Sequence, residues 1–580
     1  MATFQILLCF AFHFLLLISL PLETATSETT EGRALLKWKN TLEFNTDVLH
    51  SWSIANLHNI CWNWTGITCN DVGAVYKIKL DNFSLSGTLE SLHFNSFPNL
   101  TCFSLNNNSF TGSIPYAIAN LSQLIFLDLS FNHFVSFIPS KIGKLTKLRF
   151  LNLGGNRLGG TIPSQISYLQ HLTSLSLFAN SLTGQIPEAM FSNLSNLQTF
   201  NCRENMFHGP FPPSLLKLSK LKQLYLSGSN FYGSIPPTIG NLSSLTILDL
   251  SDNMLQGNIP ETLCNLHSLN TLYLSGNTFS GLNPQCLGNI TSLRDLSLDS
   301  NVLHENIPRL LCNLHSLEGS IPRSLCNLGS LELMDLSNNR LDGLIPWCFG
   351  NVSSLRILYL NSNLLKGSIP RSLCNLLSLE DMDLSNNNFE GLIPWCLGNI
   401  FSLRSLNLHT NMLKGSIPRS LCNLGSLELM DLSNNRLDGL IPWCFGNISS
   451  LRSLYLRSNM LKENIPGSLC NLLCLEDMDL SNNNLEDTTS ERLEGRALLK
   501  WKNTLSNAHV LHSWSIPNLD NICWNWTGIN CNNVGDVYEI TLVDFSLSVR
   551  FLGPQFEPFC EFYTTRDRKI KKSSVLEPWI

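Results

Sequence analysis

The side chains able to do chemistry in this 580-residue chain recur in columns and are not gathered into one motif. Asp335, Asp383, Asp431 and Asp479 repeat every 48 residues. Acid–base catalysis needs two carboxyls whose environments push their pKa values apart, so a column of identical aspartates is expected to be a solvated strand face. Cys61 and Cys69 close the segment CWNWTGITC, and Cys523 and Cys531 close the near-copy CWNWTGINC. Two cysteines eight apart, with no second Cys or His pair nearby, are expected to form a disulfide and not a zinc site. Closing so small a loop is worth on the order of 2–3 kcal/mol. A further ladder has Cys264, Cys312, Cys374, Cys422 and Cys470 in a slot held elsewhere by Ala119 or Gly143. Cys286, Cys348, Cys396 and Cys444 fall two positions earlier in the unit, where Lys141 or Gln165 stands elsewhere. The first set is expected to be buried free thiols acting as small hydrophobes. The sharper alternative is pairing such as Cys374 with Cys396, which needs Cα atoms within about 7 Å. There is no nucleophile constellation, no phosphate-cradling glycine loop and no H-R-D or D-F-G triplet. No enzymatic activity, cofactor or metal site is therefore expected.

These columns exist because the chain is periodic, and a fixed period decides architecture before any local reading. The segment Leu379 to Ser402 shows the 24-residue frame, L-x-x-L-x-L-x-x-N-x-L-x-G-x-I-P. Copies run from Leu100 to Leu293 and from Leu331 to Leu451, with a broken one at Leu475. Met382 and Leu384 alternate with Asp381, Asp383 and Ser385, which is a short strand with one buried face. Asn387 sits where the chain leaves that strand, and its amide can satisfy buried backbone groups. Phe389 and Ile393 turn inward, and Gly391 and Pro394 punctuate an irregular return path. Trp395 to Ile400 is short enough for one turn of helix or 3₁₀. A single unit cannot bury its apolar face, so the units must stack. The expected fold class is an α/β solenoid, a horseshoe with a parallel concave β-sheet and a 3₁₀ or short-helical convex side.

Composition agrees with an extracellular route. The chain is 43% hydrophobic and 14% charged, with a net charge of −6, which gives no electrostatic footprint for nucleic acid. Ile6 to Leu20 is an apolar run followed by Pro21 and small residues near Ala25, so residues 1–25 are expected to be a secretory signal peptide. An uncleaved N-terminal anchor is the alternative. No later stretch reaches the ~18 apolar residues of a membrane span. Glycosylation sequons at Asn63, Asn82, Asn99, Asn107, Asn120, Asn193, Asn241, Asn289, Asn351, Asn447 and Asn525 fit a secreted glycoprotein surface.

The frame, with its I-P and N-L-S-x-L elements, resembles the plant-specific class of leucine-rich repeats. The block TTEGRALLKWKNTL … HSWSI … CWNWTGITC resembles the N-terminal cap of plant leucine-rich-repeat receptors. In it, Ala34, Leu35, Trp38 and Leu42 share one helical face, with Thr29 or Thr30 able to cap the helix. Residues 29–74 are read as the cap and 75–487 as the solenoid, with Val75 to Leu80 as its first strand. The unit at 317–330 lacks ten residues, including its strand and Asn, so the sheet is expected to be interrupted there. Residues 493–549 repeat the cap with no solenoid after them, and 550–580 form a tail. The blocks at Leu331 and Leu427 are almost identical, a sign of tandem duplication.

On such a solenoid, recognition falls to variable residues that point out of the concave strands. These are Phe126, Asp128, Phe131, Phe150, Phe178, Arg203, Glu204 and Tyr225, then Tyr273, Tyr359, His409, Tyr455 and Arg457. Exposed aromatics and arginines dominate binding hot spots, and Phe126, Phe131, Phe150 and Phe178 are close enough in the coil order to form one patch. The resemblance implies a receptor-like ectodomain of plant signalling or defence, without its own kinase in this sequence. It would bind an extracellular peptide, protein or oligosaccharide, with a receptor kinase as co-receptor, in the extracellular space. The alternatives are a secreted inhibitor of a cell-wall hydrolase, resembling the polygalacturonase-inhibiting proteins, and a nonfunctional truncated copy.

Overall fold

Leucines at fixed intervals wind the polypeptide into coils, each adding one three-residue strand to a parallel main sheet. The computed structural model describes residues 30–43, 46–281, 285–303, 321 and 323–485, with short strands beyond them. The signal segment, residues 317–320 and 322 of the shortened unit, most of the tail, Cys312, Cys523 and Asn525 lie outside the described residues, as do the side chains of Cys470 and Cys531. The chain divides into two compact units, one ending at Asn301 and the other beginning at Val302.

The first unit opens with a cap. Helix 30–39 buries Ala34, Leu35 and Trp38. Gly32 is tight against Leu57 and Ile60, where an added Cβ would sit 2.6 Å from a Leu57 methyl. Trp52 stacks on Trp64 at 5.4 Å, and the indole N–H of Trp52 donates to the Thr65 carbonyl at 2.9 Å. Strand Val75–Lys79 opens the main sheet, with antiparallel Ile67–Cys69 on its outer side. Cys61 and Cys69 are joined with Cα atoms 5.3 Å apart. The later strands Ile529–Cys531 and Val537–Ile540 repeat this hairpin, down to the register shift before the second cysteine.

Successive coils stay in register. Phe126, Leu127 and Asp128 pair with Phe150, Leu151 and Asn152, and the next coil adds Ser174, Leu175 and Ser176. The middle residue of each strand points into the core and is fully buried. In the second unit Leu333–Asp335, Ile357–Tyr359 and Asp381–Asp383 continue the same pattern as far as Asp477–Asp479. The return path is more ordered than the sequence suggests. Asn388–Gly391 is a strand, paired in parallel with Leu364–Gly367 and Met412–Ser416, so each unit carries a second sheet. Trp395–Asn399 is one turn of 3₁₀ helix, as expected of so short a segment.

The asparagine at each strand exit holds neighbouring coils together. Asn387 accepts from the Leu365 N–H at 3.0 Å and donates to the carbonyls of Leu360, Leu384 and Ser385. Its counterparts Asn156, Asn253 and Asn435 make the same bonds. Ser229 takes this place in one coil, and its hydroxyl reaches only the Asn205 carbonyl at 3.4 Å. One rung differs from the others. Leu303 N–H donates to Asn339, a step of 36 residues where other rungs span 22 or 23.

The ladder cysteines correct the expectation of free thiols. Cys264–Cys286, Cys326–Cys348, Cys374–Cys396 and Cys422–Cys444 are disulfides, with Cα atoms 5.6–5.7 Å apart. The two cysteine slots face each other across adjacent coils, so 22 residues of chain bring them within bonding reach. Among the described residues Cys102, Cys202 and Cys474 remain free.

Candidate functional site

The residue before each ladder asparagine has a left-handed backbone, with φ from 48° at Ala179 to 64° at Gly155. This conformation suits Gly and Asn, and it turns the side chain out at the edge of the sheet face. Asn338, Asn386, Asn434 and Asn482 occupy it in the second unit. In the first unit most coils place Gly or a small or polar residue there, and Phe131 and Glu204 are the bulky exceptions, gaining nothing locally from that backbone. Phe131 is half exposed and meets Phe178 edge-on, with ring centres 5.4 Å apart.

Two glycines make room for those rings. A Cβ on Gly154 would lie 2.2 Å from the Phe178 ring, and one on Gly155 would lie 2.8 Å from Phe131. The guanidinium of Arg203 lies over the Phe178 ring at 5.6 Å, in cation–π range. Its Nε is shielded from water and makes no hydrogen bond, and the nearest carboxylate oxygen, on Glu204, is 3.5 Å away. Phe131, Phe178, Arg203 and Glu204 therefore form one cluster. Phe126 and Phe150 stack face to face at 4.3 Å on the opening row of the same strands. The four phenylalanines make two contacting pairs, and no ring contact links one pair to the other.

Other sequence-singled residues fall into different roles. Asp128 is buried, and its carboxylate accepts from the Ser130 N–H and hydroxyl. Burial pushes its pKa up, against the pull of those Ser130 donors. The aspartate column is not a solvated face. Asp479 is 2% exposed and Asp383 half-buried, and Asp383, Asp431 and Asp479 each accept from the backbone of the serine two residues on. The carboxylate closes a turn at the strand exit, which explains its regular recurrence. Tyr359 and Tyr455 donate to Asp381 and Asp477 on the neighbouring strand, and burial is the main force holding both phenols protonated. Tyr225 and Tyr273 flank Asp249, and burial raises both phenol pKa values. His409 contacts the Thr410 hydroxyl, and Arg457 lies 3.8 Å from Asp479. The second unit's sheet residues thus largely bond one another, whereas the first unit leaves an aromatic cluster with a part-exposed arginine on its surface.

All ten described sequon asparagines are exposed. Asn82 and Asn107 share the left-handed column with Phe131, and the Asn107 amide donates to Asn82. Among the described residues no helix is long and apolar enough to cross a membrane.

Comparison with known proteins places this architecture. Leucine-rich-repeat models match residues 98–158, 329–389 and 426–485, and a leucine-rich-repeat region model matches 212–319. The leucine-rich-repeat N-terminal domain matches twice, at 28–70 and 493–532. Over 119 residues the chain is 39% identical to the receptor-like serine/threonine-protein kinase RGI4 of Arabidopsis thaliana, which is 20% of this chain and 10% of that protein. A TDR receptor structure superposes with a TM-score of 0.64 at 33% identity, covering 70% of this chain and 68% of that one. The ectodomain of the Arabidopsis receptor kinase HAESA, solved with an extended IDA peptide hormone, gives 0.50 at 30% identity, covering 79% and 86%. The chain belongs to the plant leucine-rich-repeat receptor family and carries the capped repeat architecture of its ectodomains.

Proposed function

We propose that this protein binds an extracellular peptide on the main-sheet face of its first unit, with Phe131, Phe178 and Arg203 as anchors. The observation that carries the reading is the cluster itself, an edge-on Phe131–Phe178 pair with the part-exposed guanidinium of Arg203 over the Phe178 ring. A guanidinium fixed over a ring keeps its outer N–H groups directed at solvent, where a ligand carboxylate or carbonyl can accept from them. The paired rings beside it supply the rigid apolar contact that hot spots favour. Solved relatives support a peptide as the ligand class, since the HAESA ectodomain holds a peptide hormone. Signalling through a partner kinase in the extracellular space completes the proposal.

The test is selection from a displayed peptide library on the secreted protein, followed by titration of the recovered peptide. Phe178→Ala and Arg203→Ala should each weaken binding at least tenfold, with unchanged circular dichroism. Phe131→Asn should also weaken binding while changing stability by less than about 1 kcal/mol, because relief of the left-handed backbone offsets the lost ring contact. Recovered peptides that bind all three variants as tightly as the native protein would refute the assignment. Capture of a wall hydrolase with loss of its activity would favour the inhibitor reading instead.

A further inference from the structure

The position after each coil's opening leucine forms a column along the margin of the main sheet. In the second unit this column neutralises itself. Arg356 pairs with Glu380 at 2.8 Å, and Glu428 lies 3.6 Å from both Arg404 and Arg452. Arg452 also pairs with Glu476 at 2.9 Å. In the first unit the same column reads Arg149, Thr173, Gln198 and Lys222, so the cations remain and the carboxylates are gone. The preceding position on each coil adds His171, Asn196 and Lys220.

Six of these side chains, Arg149, His171, Thr173, Asn196, Gln198 and Lys220, line an open hollow of about 260 Å³. Its floor is fixed by local bonds. Lys220 Nζ donates to Asn196 Oδ1 at 2.8 Å, the Asn196 amide donates to the Gln170 carbonyl, and the Thr173 hydroxyl donates to the Arg149 carbonyl. Among the described residues no carboxylate pairs with Arg149, His171 or Lys220, and the Arg149 guanidinium and His171 ring have no hydrogen-bonding partner.

We infer that this hollow binds a carboxylate-bearing oligosaccharide. Arg149 and Lys220 on one wall set the sign of the ligand, and a planar guanidinium free of partners can take a carboxylate through two bonds. Most small-ligand pockets are lined mainly by apolar residues, but each of these six side chains ends in a polar or charged group. That lining suits a ligand covered in hydroxyls. No aliphatic or phenyl side chain stands among the six to receive the apolar side chains of a peptide.

The test is calorimetric titration of the full secreted protein with an α-1,4-linked oligogalacturonate. A cello-oligosaccharide and an oligoglutamate, each of the same length, serve as comparisons. The oligogalacturonate should bind, more weakly at high salt, and the neutral sugar should not. The double variant Thr173→Glu, Gln198→Glu places carboxylates 24 residues from Arg149 and Lys222, the spacing of the Arg356–Glu380 pair, so it should fold normally. It should lower oligogalacturonate affinity at least tenfold, whereas Phe178→Ala should leave that affinity unchanged. The inference is overturned if oligogalacturonate fails to bind, if the double variant binds it equally, or if oligoglutamate binds as tightly.

Discussion

At the scale of single residues, the ladder asparagines carry the greatest structural weight. Asn387 satisfies one backbone N–H and three carbonyls in a place water cannot reach. Asn387→Ala leaves those groups bare, and at about 1–3 kcal/mol for each unsatisfied group a loss of at least about 3 kcal/mol is expected in chemical denaturation. A loss below 1 kcal/mol would mean that water replaces the amide. Asp128 makes a prediction of opposite sign. Burial raises its pKa above the ordinary 3.8, so the fold favours the protonated form. The stabilisation it gives is complete below that ordinary value and is lost as pH climbs through the raised one. Asp128→Asn keeps an acceptor for Ser130 without the charge. Its melting temperature relative to the native protein should therefore be higher at pH 7 than at pH 3.5, and an unchanged difference would contradict the assignment.

At the scale of elements, the coil and its disulfides act together. Each ladder disulfide closes 22 residues between neighbouring 3₁₀ turns, and a loop of that length is worth about 3 kcal/mol in the chain-entropy account. Peptide mapping under non-reducing conditions should recover Cys374 linked to Cys396 and Cys422 linked to Cys444. The Cys374→Ser, Cys396→Ser pair should unfold at lower denaturant. Recovery of these cysteines as free thiols from the secreted protein would contradict the structure. The margin column shows the same coupling between duplication and electrostatics. A 48-residue period alternates Glu and Arg on successive coils, so each charge meets its opposite. These pairs are exposed, and each is worth at most about 1 kcal/mol. Their larger effect is to leave the second unit's margin without net attraction for anions.

At the scale of the whole molecule, the repeat frame made the coils, the parallel sheet and the asparagine ladder legible from sequence, because each follows from spacing along one coil. Contacts between coils were less legible. The disulfides depend on two slots facing across a coil boundary, and free thiols were the reasonable expectation until that offset was seen. The aspartates looked solvated because alternation puts them on the outer face, whereas their bonds to Ser385, Ser433 and Ser481 lie within the strand exit. Phe131 and Phe178 were singled out as exposed aromatics, but the glycine notch at Gly154 and Gly155 and the seat of Arg203 over the Phe178 ring needed three dimensions. The basic hollow was missed altogether. Its residues are ordinary polar substitutions until the second unit's column is set beside them. The central claim is that the first unit's sheet face grips an extracellular ligand at the Phe178 cluster. It is tested most directly by placing a photo-crosslinking phenylalanine analogue at position 178, and in a separate protein at exposed Tyr116, before incubation with the selected peptide. Cross-linking from 178 and not from 116 is the predicted result. Equal yields from both positions, or none from 178 while the peptide still binds, would contradict it.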